Sequence, residues 1–238
     1  MKTAYSIPDK AVPYILFQRT AYLRYTNSLL YRALRKVSPM PLYKPVVYLE
    51  SFFRGRAIKD LYMDDMAHEY AVIKDALPEE CRSVLDIGCG IAGINIFIQE
   101  HYNGKDLKFY LLDKSAVEDN VFYLFNARGA FYNSLDLARD TLVSSGIKKE
   151  NIDLLEANEK NEINVPHSLD LIISLISWGF HYPITTYLDR AYDLLSDKGR
   201  LIVDVRKETD GLSLLKSRFN HVQIIEETTT RQRIVCSK

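Results

Sequence analysis

The chain has 238 residues, of which 47% are hydrophobic and 26% charged, and its formal net charge is zero. This composition is typical of a globular domain with a sizeable core, and it excludes collagen-like, disordered and disulfide-scaffold classes. No window of about 18 apolar residues occurs, so we expect no transmembrane span. Three cysteines without a C-x-x-C pair, together with the lack of a secretory signal pattern, favour a reducing compartment, and we expect a cytoplasmic protein.

The charges are distributed unevenly along the chain. Residues 1–60 contain eleven Lys or Arg and three acids, a net charge of +8, so the remaining 178 residues carry −8. This asymmetry indicates two regions with different roles. We predict a basic, helical N-terminal cap region over residues 1–78 and a second domain over residues 79–238.

The N-terminal region is predicted to contain two helices. Apolar residues from position 11 to about position 37 recur with helical spacing, while basic residues fall on the opposite side, which indicates an amphipathic helix with a basic outer face. A Ser-Pro-Met-Pro segment ends this helix. A second helix is predicted from about Tyr48 to Leu77, with a possible break near Gly55.

After residue 82, short apolar runs alternate with longer amphipathic stretches, which is typical of strand–helix–strand units around a parallel sheet. The predicted strands are Ser83–Ile87, Lys108–Leu112, Ile152–Leu155, Leu169–Ile176, Arg200–Val205, Val222–Glu227 and Arg231–Cys236. The predicted helices lie at about Ile91–Tyr102, Asn133–Ser145, Thr185–Ser196 and Gly211–Phe219. Because only a few residues separate the last two strands, these strands should pair antiparallel. We therefore predict an α/β fold whose seven-stranded, mostly parallel sheet ends in a C-terminal antiparallel hairpin.

The strongest local motif is the segment V-L-D-I-G-C-G-I-A-G, which begins at Val84. It combines an apolar strand, a tight glycine turn and the start of a helix, and glycines in such a turn allow a ligand to approach the backbone closely. Asp113 lies twenty residues after Gly93, at the end of the next predicted strand, where a carboxylate can accept hydrogen bonds from ribose hydroxyls. The motif and Asp113 together predict a nucleoside-binding site.

Asp86 distinguishes between two classes of nucleoside ligand. A dinucleotide would bring about two negative charges to this turn, where a carboxylate would repel them. S-adenosylmethionine instead brings a sulfonium and an ammonium group. With Asp86, Gly88 and Gly90, and with Asp113 at the second motif, the sequence resembles the class I S-adenosylmethionine-dependent methyltransferases of the small-molecule type, over about residues 82–238.

The resemblance implies a Rossmann-like fold, an N-terminal helical cap over the substrate, and S-adenosylmethionine as cofactor, with S-adenosylhomocysteine as product. The residues that it implies at the cofactor are Asp86, Gly88, Cys89 and Gly90 near the methionine part, Asp113 at the ribose, Glu156 or Asn158 near the adenine edge, and Ser174 in the fourth strand. The turn before the fifth strand departs from the family pattern, since Asp197 and Lys198 stand where the family has Pro and Gly. No set of Cys, His and carboxylates has the spacing of a structural zinc site, so a metal is not implied.

His181 is the candidate catalytic residue. It follows the fourth predicted strand and a Ser-Trp-Gly-Phe turn, at the sheet edge where ligands bind in open α/β folds. Its ordinary pKa suits a general base for a hydroxyl acceptor, although a histidine that only packs or caps a turn is equally compatible with the sequence. The segment lacks the Asn/Asp-Pro-Pro-Tyr tetrad of many amino-group methylators.

Three functions remain open at this point. The leading one is a methyltransferase for a small polar metabolite or sugar-type acceptor, with O- or N-methylation and a basic cap that complements an anionic group. An RNA methyltransferase would use the +8 segment for phosphate contacts, and a non-catalytic protein would only bind S-adenosylmethionine. No RNA-binding module is recognised, so we expect a small-molecule acceptor and no strong nucleic-acid binding.

Two further segments carry expectations of their own. The basic helix could also rest on an anionic membrane. The aromatic insertion at about 116–130 is expected to form a lid over the ligand.

Overall fold

A seven-stranded sheet forms the centre of the protein. The computed structural model describes residues 5–25, 43–103, 105–115 and 131–238, together with the pairs 117–118, 122–123 and 126–127. The strands of the sheet are β1 (Ser83–Ile87), β2 (Lys108–Asp113), β3 (Ile152–Glu156), β4 (Leu169–Ser174), β5 (Leu195–Arg206), β6 (His221–Glu227) and β7 (Arg231–Ser237). Their spatial order is β3-β2-β1-β4-β5-β7-β6.

The topology confirms the predicted α/β fold. Strands β1 to β5 pair in parallel, and β7 lies between β5 and β6, antiparallel to both. The strand order reverses between β1 and β4, because the chain runs from β1 outward to β3 and then returns to the other side of β1. Such a reversal opens a crevice at the carboxyl ends of the strands, where open α/β folds bind their ligands.

Helices cover both faces of the sheet. They are α1 (Val12–Gln18), α2 (Tyr43–Ile73), α3 (Gly93–His101), α4 (Leu135–Ser144), α5 (Leu188–Leu194) and α6 (Gly211–Arg218). Successive strand residues point to opposite faces, so Val84 packs in the apolar cluster with α1 to α4, whereas Leu85 packs in the cluster with α5 and α6. In the part of the chain that is described, no helix combines the length and apolar character needed to cross a membrane.

The first predicted helix is wrong in its extent. Helix α1 ends at Gln18, followed by a short 3₁₀ turn at Thr20–Tyr22, and residues 26–37 of the prediction lie outside the described residues. The backbone N–H groups of Arg24 and Tyr25 donate to the Glu50 carboxylate of α2, at 2.9 and 2.6 Å. A tertiary partner thus takes the amides that a continuing helix would have bonded to its own carbonyls.

The second helix is present, but the expected break near Gly55 is wrong. Helix α2 runs without interruption from Tyr43 to Ile73, and Lys74–Ala76 continues it as a 3₁₀ turn. A glycine inside a helix costs about 1 kcal/mol relative to alanine. Buried side chains on both sides of Gly55, among them Val47 and Ile58, outweigh that cost.

The path of the chain after β4 differs from the prediction. The predicted strand extended to Ile176 and was followed by a turn. Strand β4 ends at Ser174 because Ile176 has a left-handed backbone, with φ +55°, and its N–H bonds to the Asp204 carboxylate at 3.0 Å. A further strand, Ser177–Tyr182, follows. It passes close to β5 at Gly179, where a β-carbon would lie 2.7 Å from the Asp204 carbonyl oxygen.

The predicted insertion at 116–130 is described only in part. Its backbone contains two-residue strands that pair Val117–Glu118 with Phe131–Tyr132, and Phe122–Tyr123 with Asn126–Ala127. The aromatic side chains of the expected lid lie outside what the structure describes. The lid therefore stays a prediction.

Candidate functional site

The glycine turn between β1 and α3 lies at the point where the strand order reverses. Gly88 and Gly90 have φ values of +75° and +55°, a left-handed conformation that glycine adopts at little cost. The Gly88 N–H donates to the carbonyl of Leu112 at 2.7 Å, which ties the turn to the end of β2. A β-carbon at Gly88 would overlap the side chain of Ser177, which follows β4. The ends of β1, β2 and β4 therefore meet at this turn.

Asp113 closes the turn from the end of β2. Its Oδ2 accepts the N–H of Gly90 at 2.8 Å, and its Oδ1 accepts the N–H of Lys114 at 2.7 Å. Burial raises the pKa of Asp113 to about 6, although these two backbone hydrogen bonds lower it. Each carboxylate oxygen can accept a second hydrogen bond. The side chain can thus bind hydroxyl donors while it holds the turn.

Asp86 lies on β1 beneath the turn and is 3% exposed. Its Oδ2 accepts a hydrogen bond from Nδ2 of Asn95 at 2.6 Å. Burial raises the pKa of Asp86 to about 7, the Asn95 bond lowers it, and the charge of Asp113 raises it further. A cationic group beside Asp86 would favour its ionised form, because an opposite charge offsets the cost of burying the carboxylate.

The N-terminal helices cover the start of α3. The Gly93 N–H donates to the Tyr62 hydroxyl oxygen at 3.1 Å, and a β-carbon at Gly93 would lie 2.5 Å from the Tyr62 ring. Burial raises the pKa of Tyr62 to about 12, so its hydroxyl is neutral. The guanidinium of Arg19 lies 5.5 Å from the centre of the same ring. Both α2 and the end of α1 therefore border the glycine turn.

No protein-family model and no curated protein matches the sequence. Solved structures do match the fold. A candidate O-methyltransferase from Nostoc punctiforme superposes with a TM-score of 0.53 at 16% identity, and the match covers 99% of this chain and 73% of that one. An S-adenosylmethionine-dependent methyltransferase from Aquifex aeolicus gives a TM-score of 0.51 at 16% identity, over 70% of this chain and 87% of that one. A candidate methyltransferase from Pseudomonas syringae gives a TM-score of 0.51 at 18% identity, and the match covers 72% of this chain and 97% of that one.

The fold is that of the class I S-adenosylmethionine-dependent methyltransferases. The architecture agrees with the one predicted from the sequence. It has seven strands with an antiparallel pair at the C-terminus, and the N-terminal helices come before the first strand of the sheet. At 16 to 18% identity these matches establish the fold, and they leave the methyl acceptor undetermined.

Two further residues predicted for the site, Ser174 and Cys89, lie at the ends of β4 and β1, beside the glycine turn. Ser174 is fully buried, and its hydroxyl donates to the Ile87 carbonyl at 2.7 Å and accepts the Trp178 N–H at 3.0 Å. It joins the ends of β4 and β1. Cys89 is buried in the glycine turn, and burial raises the pKa of its thiol well above the ordinary value, so the group is not a thiolate at neutral pH.

The residues predicted for the adenine edge lie at the end of β3. Glu156 pairs with Asp113 across the two strands, is exposed, and accepts the Ser115 N–H at 2.6 Å. Asn158 is exposed, and its Oδ1 accepts the N–H groups of Lys160 and Glu162 at 3.0 and 3.3 Å. Glu156 therefore adjoins the Asp113 carboxylate, whereas the Asn158 carbonyl supports a local turn.

His181 lies on the Ser177–Tyr182 strand and is half-buried. Burial lowers the pKa of its imidazole below the ordinary value, and the positive charge of Arg206 lowers it further. An extended chain advances about 3.3 Å per residue. The backbone of His181 therefore lies roughly 13 Å along the strand from Ser177, the residue that contacts Gly88 of the glycine turn. Its ring is neutral at pH 7 and able to accept a proton.

Several polar residues at the turn were not singled out from the sequence. They are Gln18, Tyr62, Asn95 and Asn133, and all but Gln18 are buried. A signal exists for Asn95 alone, since it interrupts the apolar run G-I-N-I-F-I at the start of α3. Among the described residues, no group of three His, Cys, Asp or Glu could hold a metal ion.

Proposed function

We propose that the protein is an S-adenosylmethionine-dependent methyltransferase that methylates a hydroxyl or an amine of a small polar or sugar-type acceptor. One observation carries the proposal: a glycine turn at the strand reversal has the buried Asp86 on one side and Asp113 on the other. Carboxylates at both ends of the turn suit a ligand with ribose hydroxyls and a cationic amino-acid end. They disfavour a pyrophosphate.

The residues of the turn fit S-adenosylmethionine. Asp113 would accept the ribose hydroxyls, and Asp86 would face the ammonium, directly or through water. Gly88 and Gly90 would allow the ligand to lie against the backbone. Unused hydrogen-bonding capacity also supports the fit, because Asn95 Oδ1 is buried and has no partner in the described part of the chain. We keep Cys89, Glu156, Asn158 and Ser174 as proposed cofactor-binding residues.

When bound, the cofactor supplies an electrophilic methyl group. The chain has two tasks: to hold the acceptor atom in line with that group, and to exclude water. A hydroxyl acceptor must also lose a proton, and a neutral His181 can take it at a ring nitrogen. In this proposal residues 1–78 form a cap over the substrate and residues 79–238 form the catalytic domain.

We expect no strong binding of nucleic acid. Several basic residues of the N-terminal region are engaged with carboxylates, in the ion pairs Arg19–Asp65, Arg54–Glu50 and Lys59–Asp9. Engaged charges contribute less to phosphate binding. A gel shift with a transfer RNA pool at physiological salt should show at most weak, salt-sensitive binding, whereas affinity in the nanomolar range with a steep salt slope would favour an RNA methyltransferase.

Calorimetry tests the proposed cofactor. We expect S-adenosylhomocysteine to bind the wild-type protein, and Asp113→Ala to weaken that binding by about 1.5–3 kcal/mol, or about 10- to 150-fold, because hydrogen bonds to a charged group are lost. The matched control is Asp106→Ala, an exposed aspartate just before the amino end of β2, which should leave the affinity unchanged. Binding of NAD in place of S-adenosylhomocysteine would reject the methyltransferase proposal.

A further inference from the structure

The guanidinium of Arg206, the last residue of β5, is partly buried at the carboxyl end of the sheet. Its Nη1 is buried and has no hydrogen-bond partner within the residues described. Arg54, Arg218 and Arg233 also have a buried nitrogen without a hydrogen bond, but each of these three contacts a carboxylate. Arg206 differs from them, because its guanidinium forms no ion pair in the described part of the chain. A buried cationic donor of this kind is costly unless a ligand supplies the acceptor.

The charged groups beside Arg206 contact one another. Arg206 lies opposite Arg231 in the antiparallel register of β5 and β7. The carboxylates of this cluster contact Arg231 or Arg233, and they are those of Asp204, Glu69 and Glu226. The three carboxylates and the three arginines are neutral in sum, so the cluster supplies no excess of positive charge. An anion at Arg206 would therefore be held by short-range hydrogen bonds from the guanidinium.

Arg206 lies next to His181, the proposed base. Gly179 approaches β5 at Asp204, and His181 and Arg206 each follow that contact by two residues. Burial lowers the pKa of the His181 imidazole and the charge of Arg206 lowers it further, so the two groups are close in space. Val205 packs in the cluster with α5 and α6, so Arg206 points to the opposite face of the sheet, on which α1 and α2 pack. The guanidinium therefore adjoins the proposed base on the side of the N-terminal helices.

We propose that Arg206 binds a carboxylate or phosphate group of the methyl acceptor, and so holds a neighbouring hydroxyl or amine of that acceptor near His181. The inference deepens the proposed function and rests on it. A guanidinium presents paired N–H donors that match two oxygens of such a group, and charge-assisted hydrogen bonds are about twice as strong as neutral ones. The acceptor is then an acid or a phosphate ester, such as a sugar phosphate, and not a neutral sugar.

Small anions and a neutral isostere test this role before the acceptor is identified. The probes are inorganic phosphate, acetate and acetamide, added to the full chain with S-adenosylhomocysteine present. The readout is the NMR signal of the His181 ring, assigned by its loss in His181→Ala. Phosphate and acetate should shift that signal saturably at millimolar concentrations, whereas acetamide should not. Arg206→Gln should weaken the binding of both anions about tenfold or more, the loss expected for hydrogen bonds between charged groups. Arg206→Lys keeps the charge without the paired donors and should weaken both anions by a smaller factor.

Arg200→Gln is the matched control, because Arg200 is also a partly buried arginine of β5 and lies about 20 Å before Arg206 along the strand. It should leave anion binding unchanged. If Arg206→Gln does not fold, Arg206→Lys decides the test.

Three results would overturn the inference: no saturable shift of the His181 signal, an equal shift with acetamide, or unchanged anion affinity in the Arg206 variants. Failure of the proposed function is seen separately, because calorimetry measures whether the wild-type protein binds S-adenosylhomocysteine. The acceptor class is checked by mass spectrometry of a metabolite extract incubated with the protein and methyl-labelled S-adenosylmethionine. A labelled product without a carboxylate or phosphate group would also overturn the inference.

Discussion

Replacement of Arg233 by alanine is expected to lower the free energy of unfolding by about 3–5 kcal/mol, the loss typical when one member of a buried ion pair is removed. Arg233 is fully buried in β7, and its Nε and Nη2 donate to the two carboxylate oxygens of Asp204 on β5, at 2.8 and 2.9 Å. Its Nη1 lies against Glu69 of α2. Without the guanidinium, Asp204 would remain buried with only part of its charge compensated.

The arrangement explains why Arg233 stays ionised away from water. Burial alone would lower the pKa of its guanidinium, but the hydrogen bonds and charge of Asp204, followed by the charge of Glu69, raise the pKa above the ordinary value. Arg231 joins Arg233, Asp204 and Glu69 in one charge cluster, because it donates its own hydrogen bond to Asp204 Oδ1 at 2.9 Å. It does not reach Oδ2, so that oxygen loses its only cationic partner in the described structure when Arg233 is truncated.

Urea denaturation measures this loss, and Arg218→Ala is the matched control. Arg218 also pairs with two carboxylates, those of Asp189 and Asp193, but its side chain is 36% exposed. Exposed ion pairs contribute about 0–1 kcal/mol, so the control should unfold close to the wild-type midpoint. Equal, small losses in the two variants would show that the buried cluster contributes no more than a surface pair.

The same cluster supports the crevice. Asp204 Oδ2 accepts the Ile176 N–H at 3.0 Å, and Ile176 has a left-handed backbone that costs a β-branched residue about 1–3 kcal/mol. The bond keeps the chain turned after β4, which places Ser177 against Gly88. Arg233 therefore fixes the position of Asp204, and Asp204 stabilises the turn at Ile176, which borders the glycine turn.

The central sheet could be predicted because its signals are local. Buried parallel strands read as short apolar runs, and the run from Ser83 to Ile87 coincides with β1 at both ends. The few residues between β6 and β7 permitted only antiparallel pairing. The strand Ser177–Tyr182 was missed because a bond from the distant Asp204 and the contact of Gly179 with β5 determine its path.

The candidate site also combines features that local sequence signals predict with features that depend on distant contacts. The glycine turn and Asp113 could be predicted because strand ends in a parallel sheet meet at one edge. The contact between Gln18 and Asn133 could not be predicted, since these residues are 115 positions apart and meet only when the N-terminal helices pack beside the glycine turn. The burial of Arg233 carried no local signal, because it follows Arg231 and Gln232 and precedes the apolar run I-V-C, and its partners Glu69 and Asp204 lie on other elements.

His181→Ala should lower the turnover number about 10²- to 10⁴-fold while leaving the affinity for S-adenosylhomocysteine nearly unchanged. General-base catalysis typically contributes a factor of this size, and in the proposed mechanism the imidazole contacts the acceptor and not the cofactor. The substitution removes a half-buried ring on the Ser177–Tyr182 strand, so the folded state of the variant should be verified by its unfolding curve. His221→Ala is the matched control, because His221 is exposed on the edge strand β6 and should leave turnover unchanged.

The pH dependence separates a base from a packing residue. A base must be neutral to accept a proton, so the rate should rise with pH through the pKa of His181. Burial and the charge of Arg206 lower that pKa, which places the acidic limb of the profile below the ordinary histidine pKa of about 6.5. The limb should disappear in His181→Ala. A loss of less than about tenfold with an unaltered profile would leave positioning alone as the source of catalysis. It would also indicate an acceptor that is already nucleophilic at neutral pH, such as an amine of low pKa, so the same measurement bears on whether oxygen or nitrogen is methylated.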